Sequence, residues 1–296
     1  MKITITDLKN LCKFSLASGN AVIPFISFMY LGDENLVSLK SFSLISGSLF
    51  MAMASQAFNQ VIEWKQDKIM TRTCNRPIPI QRLTRLQGGM IGFAFYAASN
   101  LLMYNYLPSN AVLINNLIFF SYLGIYTTLK TRSPVNTLIG AVIGALPVVL
   151  GAACVDNDSL YNLGMWGNFG FMFSWQINHF YGIYWKYQKD YLRAGFKMVN
   201  DSAVASKHMK ICLGINGLSW FGTASQLSQP ELKFISCISG LLSLYFWNYR
   251  AIKLFEVDPN KNANYLKQAS YYFFLVYYTL LLLDIGIKRY QQKQIH

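Results

Sequence analysis

Between Asn59 and Pro79 the chain reads NQVIEWKQDKIMTRTCNRPIP, and this polar stretch follows directly on SFSLISGSLFMAMASQAF, a run without a single charge. Asn59, Glu63 and Asp67 are spaced by four, so on a continuous helix they project from one face, displaced by about 40° per step. Two carboxylates and an amide at the end of an apolar helix are costly unless a cation neutralises them. Magnesium suits such oxygen donors, because it takes one or two carboxylates from a protein and fills its other positions with water and substrate phosphates. Arg72 and Arg76, again four apart, follow at once, and guanidinium groups grip phosphate bidentately. Pro77 then ends a helix or begins a turn. These residue types therefore point to the handling of a phosphate ester with a divalent ion. Read as charges alone, the same stretch is a solvated helix end on which Glu63, Lys65, Asp67 and Lys68 pair among themselves.

The elements that must carry this stretch are set by composition. Hydrophobic residues make up 53% of the 296 and charged residues only 13%, against roughly 25% charged in a soluble domain. A helix crossing hydrocarbon needs about 20 mainly apolar residues. Nine segments qualify: 13–31, 37–58, 84–104, 111–129, 136–155, 163–185, 209–227, 232–252 and 269–287. Their runs of consecutive apolar residues exclude the alternation of a β-barrel. The expectation is an all-α, polytopic membrane bundle of nine transmembrane helices, forming one domain over 1–296.

Charge placement agrees with nine crossings. With the N-terminus on one side, that side receives 21 of the 26 Lys and Arg residues, among them Lys2, Lys9 and Lys13, Lys130 and Arg132, and the basic clusters from Lys65 to Arg85 and from Lys186 to Lys210. The opposite side carries Lys40, Lys233, Lys288, Arg289 and Lys293, with Asp33, Glu34, Asp156, Asp158 and Glu231 in its loops. This is the asymmetry of the positive-inside rule. The net charge of +13 is thus a one-sided basic face flanking membrane spans, which argues against nucleic acid as a partner.

Other chemistries find no support. The cysteines, Cys12, Cys74, Cys154, Cys212 and Cys237, form no CxxC pair and read as packing or idle thiols. The histidines, His179, His208 and His296, lack zinc-ligand spacing, and neither a phosphate loop nor a GxSxG elbow is present. No array of charges sits mid-span as a transport pathway would require. The N-terminus lacks the Arg- and Ser-rich character of a transit peptide.

Three stretches together resemble the protoheme IX farnesyltransferases, the heme O synthases, a branch of the UbiA family of intramembrane prenyltransferases. The opening stretch matches that family's N-x-x-x-E/D-x-x-x-D-x-x-M-x-R-T-x-x-R-P signature at Asn59, Glu63, Asp67, Met70, Arg72, Thr73, Arg76 and Pro77. YTTLKTRSPVNTLIGAVIGALPVVLGA, residues 126–152, is similar to a second motif at Lys130, Asn136, Gly140, Gly144, Pro147 and Gly151. Gly140 and Gly144 also form a GxxxG face on which membrane helices approach closely. WQINHFYGIYWKYQKDYLRAGFKM, residues 175–198, is similar to a third at His179, Asp190, Tyr191, Gly195 and Met198. On one helix His179, Lys186 and Asp190 share a face, at separations of seven and four. The chain departs from the pattern at Asn178, which replaces a Pro, and at Thr131, which replaces an Arg.

The resemblance implies a reaction in which the farnesyl group of farnesyl diphosphate joins a vinyl carbon of heme b to give heme O, on the way to the heme A of terminal oxidases. It assigns Asn59, Glu63, Asp67 and Asp190 to catalysis, with Glu63, Asp67 and Asp190 as Mg²⁺ ligands. Arg72, Arg76, Lys130 and Lys186 fall to the diphosphate and His179 to heme. A lone histidine in an apolar helix is otherwise more often a packed residue. Two rivals remain: a quinone-type aromatic prenyltransferase, and a catalytically degenerate UbiA-like subunit of a respiratory complex. The implied partners are the lipid bilayer, heme b, farnesyl diphosphate, and heme A synthase or the cytochrome oxidase assembly machinery. Glu63 and the pair His179–Phe180 favour the mitochondrial inner membrane over its alternative, a bacterial plasma membrane.

Overall fold

The computed structural model describes residues 3–32 and 37–295. Lys2, Asp33, Glu34 and His296 lie outside the described residues, as does the side chain of Lys293. Every regular element among the described residues is helical: α1 (Ile5–Leu11), α2 (Phe14–Leu31), α3 (Leu39–Ile62), α4 (Trp64–Ile69), α5 (Arg85–Tyr106), α6 (Ser109–Phe120), α7 (Thr127–Leu129), α8 (Asn136–Val155), α9 (Leu163–Lys186), α10 (Gln188–Arg193), α11 (Ser202–Ser225), α12 (Pro230–Ser243), α13 (Arg250–Val257) and α14 (Pro259–Ile295). A short 3₁₀ turn covers Asp158–Tyr161, and π-helical turns over Ser121–Tyr126 and Leu244–Tyr249 join α6 to α7 and α12 to α13. Local chemistry sets the starts. Thr4 and Thr84 form capping boxes with Asp7 and Gln87, and the side chains of Asn162 and Asp201 accept amide bonds at the heads of α9 and α11.

Each of the nine apolar segments falls on one of these helices, or on a pair joined by a π turn. Among the described residues, five helical runs are long and apolar enough to cross a bilayer: Phe14–Leu31, Leu39–Ile62, Ser109–Leu129, Asn136–Val155 and Pro259–Gln292. The remaining long helices bury polar side chains as well, including Ser99 on α5, Asn168 and Asn178 on α9, and Asn216 and Thr223 on α11.

Two helices expected to be continuous are interrupted at the polar motifs. Glu63 leaves α-helical geometry, with φ −90° and ψ 15°, between α3 and α4. The bonds from Glu63 N to Asn59 O and from Asp67 N to Glu63 O, both 2.8 Å, nevertheless carry the ladder across the break. Tyr187, with φ −116° and ψ 24°, separates α9 from α10, so the helical face expected to hold His179, Lys186 and Asp190 together ends at Lys186.

The described residues form two compact units, one of residues 3–25, 37–143 and 188–198, the other of residues 26–32, 144–187 and 199–295. In the first, α3 and α5 pack through small residues. The Ser99 hydroxyl donates to the Gly47 carbonyl at 2.6 Å, and a Cβ on Gly47 would meet Met103 Cγ at 2.4 Å. The helix α1 is fastened by Gln60 Nε2, which donates to the carbonyls of Asn10 and Leu11 at 2.7 and 2.9 Å. Arg82 binds both oxygens of Asp7 at 2.7 and 2.9 Å, and that guanidinium, with the Thr4 bonds, holds the Asp7 carboxyl well below the usual carboxylate range. Burial pushes the neighbouring Cys12 thiol up to about 12, which fits an idle, packed cysteine.

The second unit is knit by aromatic stacking and neutral polar bonds. Phe171 stacks on Tyr277 with centroids 3.6 Å apart, and Trp220 and Phe273 close around them. Tyr278 donates to Asn168, and Asn178 to Asn248, at 2.9 and 3.0 Å. Close backbone approach requires glycine here: a Cβ on Gly182 of α9 would lie 2.7 Å from the Lys267 amide nitrogen of α14. Gly214 of α11 has nothing within 4 Å of that position. Gly182→Ala is therefore expected to destabilise by about 1–3 kcal/mol through overpacking, and Gly214→Ala to leave stability unchanged or raise it by up to about 1 kcal/mol. Thermal unfolding of both variants in detergent micelles measures the difference; equal midpoints would contradict the packing described.

Candidate active site

The residues of the opening motif meet in the first unit. Asn59, Glu63 and Asp67 are 1%, 7% and 3% exposed, so none of them sits on a solvated helix end. Lys130 Nζ binds Glu63 Oε1 at 2.8 Å, and Arg76 Nη1 binds the two oxygens of Asp67 at 2.7 and 2.8 Å. A third basic side chain enters from the junction between α1 and α2. Lys13 Nζ donates to Gln56 Oε1 at 2.7 Å and to Asn59 Oδ1 at 3.3 Å, both neutral acceptors. Its backbone sits at φ 44°, a left-handed conformation unfavourable for lysine. Asn59 Nδ2 is buried and unpartnered.

The walls are built by the π turn before α7 and by the 188–198 segment. Tyr126 lies beneath Lys130, whose ammonium is 4.7 Å from its ring centre and 5.8 Å from that of Phe196. Gly140 makes room for this arrangement, since a Cβ there would meet Tyr126 Cε2 at 2.6 Å. The GxxxG pair thus accommodates side chains rather than a helix backbone: Gly140 admits the Tyr126 ring, and in the second unit Gly144 admits the Gln176 amide. Asn136 Nδ2 donates to the Lys197 carbonyl at 2.7 Å, and the Lys197 amide donates to the Lys130 carbonyl at 2.6 Å. Burial alone would depress the Lys130 ammonium, but the Glu63 carboxylate and the Tyr126 and Tyr122 phenols outweigh it and hold the group above its ordinary range.

Asp190 has a different task in this geometry. Its carboxylate accepts bonds from the Thr71 hydroxyl at 2.5 Å, the Arg72 amide at 3.4 Å and Arg193 Nη2 at 2.6 Å. Burial raises its pKa, yet the Thr71 bonds lead the opposing contributions and leave it below the usual range. Asp190 therefore pins the turn that carries Arg72, whose side chain is exposed. Among the described residues, no three His, Cys, Asp or Glu side chains cluster as a metal-ligand set.

Lys186 and His179 belong to the second unit. Lys186 is exposed and donates to Asn264 Oδ1 at 2.9 Å. His179 stacks on Trp175 at 5.0 Å, meets Tyr271 edge-on at 4.6 Å, and shares a 2.8 Å bond between its Nδ1 and the Ser270 hydroxyl. Sequence reasoning missed Lys13, Gln56, Tyr122 and Thr71. Gln56 was within reach, because it falls on the same helical face as Asn59 and Glu63. Lys13 was not, because a lysine beside a membrane span reads first as an orientation charge.

Residues 21–282 match the UbiA prenyltransferase family. A protoheme IX farnesyltransferase of Christiangramia forsetii is 29% identical over 294 residues, covering 97% of this chain and 95% of the relative. One of Rhodopirellula baltica is 32% identical over 250 residues, covering 80% and 83%. Among solved structures, a UbiA homolog from Archaeoglobus fulgidus bound to DMAPP and Mg²⁺ superposes with a TM-score of 0.66 at 14% identity, over 95% of this chain and 99% of that one. The fold is thus UbiA-like. The chain belongs to the UbiA prenyltransferase family, in its protoheme IX farnesyltransferase branch.

Proposed function

We propose that this protein transfers the farnesyl group of farnesyl diphosphate to a vinyl carbon of protoheme IX, giving heme O. The observation that carries the reading is the buried cluster of Lys13, Arg76 and Lys130 around Glu63 and Asp67, because its basic side chains outnumber its carboxylates. A polyanion completes such a site. The relatives named for this reaction support the choice of substrates. All nine helical segments are taken to cross the bilayer within one domain, supported by a family match running through both units. The bacterial origin of the relatives supports a bacterial plasma membrane over the inner mitochondrial membrane.

The donor set fits magnesium under one condition. Glu63, Asp67 and the buried Asn59 amide offer hard oxygen donors of the kind that ion accepts, but their surroundings already carry excess positive charge. A divalent ion alone would add to that excess; one arriving with a diphosphate would not. Glu63, Asp67 and Asn59 would hold it, and when bound it supplies Lewis-acid stabilisation of the leaving diphosphate. Asp190, satisfied by Thr71, Arg72 and Arg193, serves better as the positioner of Arg72 than as a ligand.

The chain's own groups do the rest. Lys13, Arg76 and Lys130 present fixed positive potential where the leaving charge develops, and they need no reorganisation because their partners already orient them. Tyr126 and Phe196, packed against Lys130, limit water there and strengthen the field. For heme, His179 offers one nitrogen. The Ser270 hydroxyl donates to the Lys267 carbonyl at 2.6 Å, so it accepts from His179 Nδ1–H. That leaves Nε2 with its lone pair, the tautomer suited to iron.

Two measurements test this. In cells lacking their own heme O synthase, the wild-type chain is expected to produce heme O, and Asp67→Asn to lower the yield per amount of folded protein by 10²-fold or more; heme O from the variant at wild-type levels overturns the diphosphate assignment, and a prenylated quinone in place of heme O overturns the acceptor. His179→Ala is expected to weaken heme binding, followed by absorbance, while leaving the affinity for a non-hydrolysable farnesyl diphosphate analogue unchanged. Wild-type heme affinity in that variant would return His179 to a packing role.

A further inference from the structure

In the first unit, Phe58, Arg85, Leu86, Gly89, Met90 and Phe93 line an open groove of about 500 Å³. Its apolar end is laid bare: Leu86, Met90 and Phe93 are 74%, 63% and 63% exposed. Gly89 leaves the floor open, since nothing lies within 4 Å of where its Cβ would be. From Arg85 to Phe93 the groove follows α5 for about 12 Å at 1.5 Å per residue, from the basic boundary into the apolar span.

The mouth of the groove is cationic. The Arg85 guanidinium lies 5.6 Å from the Trp64 ring centre, and Lys65 Nζ lies 5.8 Å from the same ring. Neither basic side chain has an acidic partner among the described residues, whereas the nearby Arg82 is taken by Asp7. An indole flanked by two cations at the end of a membrane helix has the make-up of a headgroup contact: tryptophan favours the interface, and Lys and Arg there attract anionic lipid.

We propose that this groove binds an anionic phospholipid, with one acyl chain along Leu86, Gly89, Met90 and Phe93 and the headgroup phosphate at Arg85 and Lys65. The occupant must be apolar over the length of the groove and anionic at one end. A zwitterionic lipid supplies the same chain but brings its own ammonium to two cations. The bound headgroup bears on the junction between α3 and α4, where Trp64 follows Glu63, and so steadies the break that aims Glu63.

Native mass spectrometry of the detergent-solubilised protein, with phosphatidylglycerol or phosphatidylcholine of identical chains added, reads the first bound lipid. Phosphatidylglycerol is expected to bind more tightly. Lys65→Gln and Arg85→Gln are each expected to lower its affinity about fivefold, the factor that corresponds to roughly 1 kcal/mol per basic residue near a membrane surface, and to leave phosphatidylcholine unchanged. Gly89→Phe, which fills the groove without touching charge, is expected to weaken both lipids, with thermal unfolding confirming that the variant is folded. Equal binding of the two lipids to the wild-type protein overturns the proposal. So does unchanged phosphatidylglycerol affinity in the charge variants or in Gly89→Phe, or displacement of the lipid by heme, which would make the groove a porphyrin site.

Discussion

Ionised side chains gathered inside a membrane helix bundle are the constraint on which the rest of this structure turns. Isolated charges in such surroundings cost several kcal/mol each, and Glu63 and Asp67 persist because Lys130 and Arg76 bind them directly. The pairing needs precision that the helices alone do not supply. A break at Glu63 turns its carboxylate toward Lys130, a missing side chain at Gly140 lets Tyr126 slide beneath that lysine, and a left-handed Lys13 reaches Asn59 from the start of α2. The Asp7–Arg82 pair and Gln60 fix the approach of that first segment. Lys13 is the basic group of the cluster that lacks a bonded carboxylate, its partners being the neutral Gln56 and Asn59.

The two units solve burial of polarity in different ways. The first concentrates formal charge at the junctions of its helices. The second buries neutral groups, Asn168, Asn178, Asn216 and Asn248, among stacked aromatic rings, and it holds a histidine whose tautomer is set by Ser270.

Much of this was legible in the sequence. Apolar runs located the first six segments to within about four residues of their helix ends, since lipid-facing length dictates them, but fell short of the starts of α11 and α14 and of the ends of α13 and α14 by five to ten. The four-residue spacing of Asn59, Glu63 and Asp67 located the site, because the backbone ladder survives the break at Glu63. What escaped depends on contacts between segments far apart in the chain. Nothing local to Lys13 announces that it lies beside Gln56 and Asn59, and nothing local to Asp190 announces that Thr71 binds its carboxylate. The break at Tyr187 likewise separated Asp190 from the helix that carries Lys186 and His179, where periodicity alone had placed all three on one face.

The central claim is that the buried cluster is built with more basic side chains than carboxylates, a set that a diphosphate completes. Calorimetric titration of the detergent-solubilised wild-type protein and of Lys13→Met tests it most directly, using Mg²⁺ alone, a non-hydrolysable farnesyl diphosphate analogue alone, and the two together. The account predicts no binding of Mg²⁺ by itself, tight binding of the analogue with Mg²⁺, and a loss of about 10- to 100-fold in analogue affinity in Lys13→Met, as expected for removing a charged hydrogen-bond donor, with the thermal midpoint retained. Tight binding of Mg²⁺ in the absence of diphosphate, or wild-type analogue affinity in Lys13→Met, would contradict it.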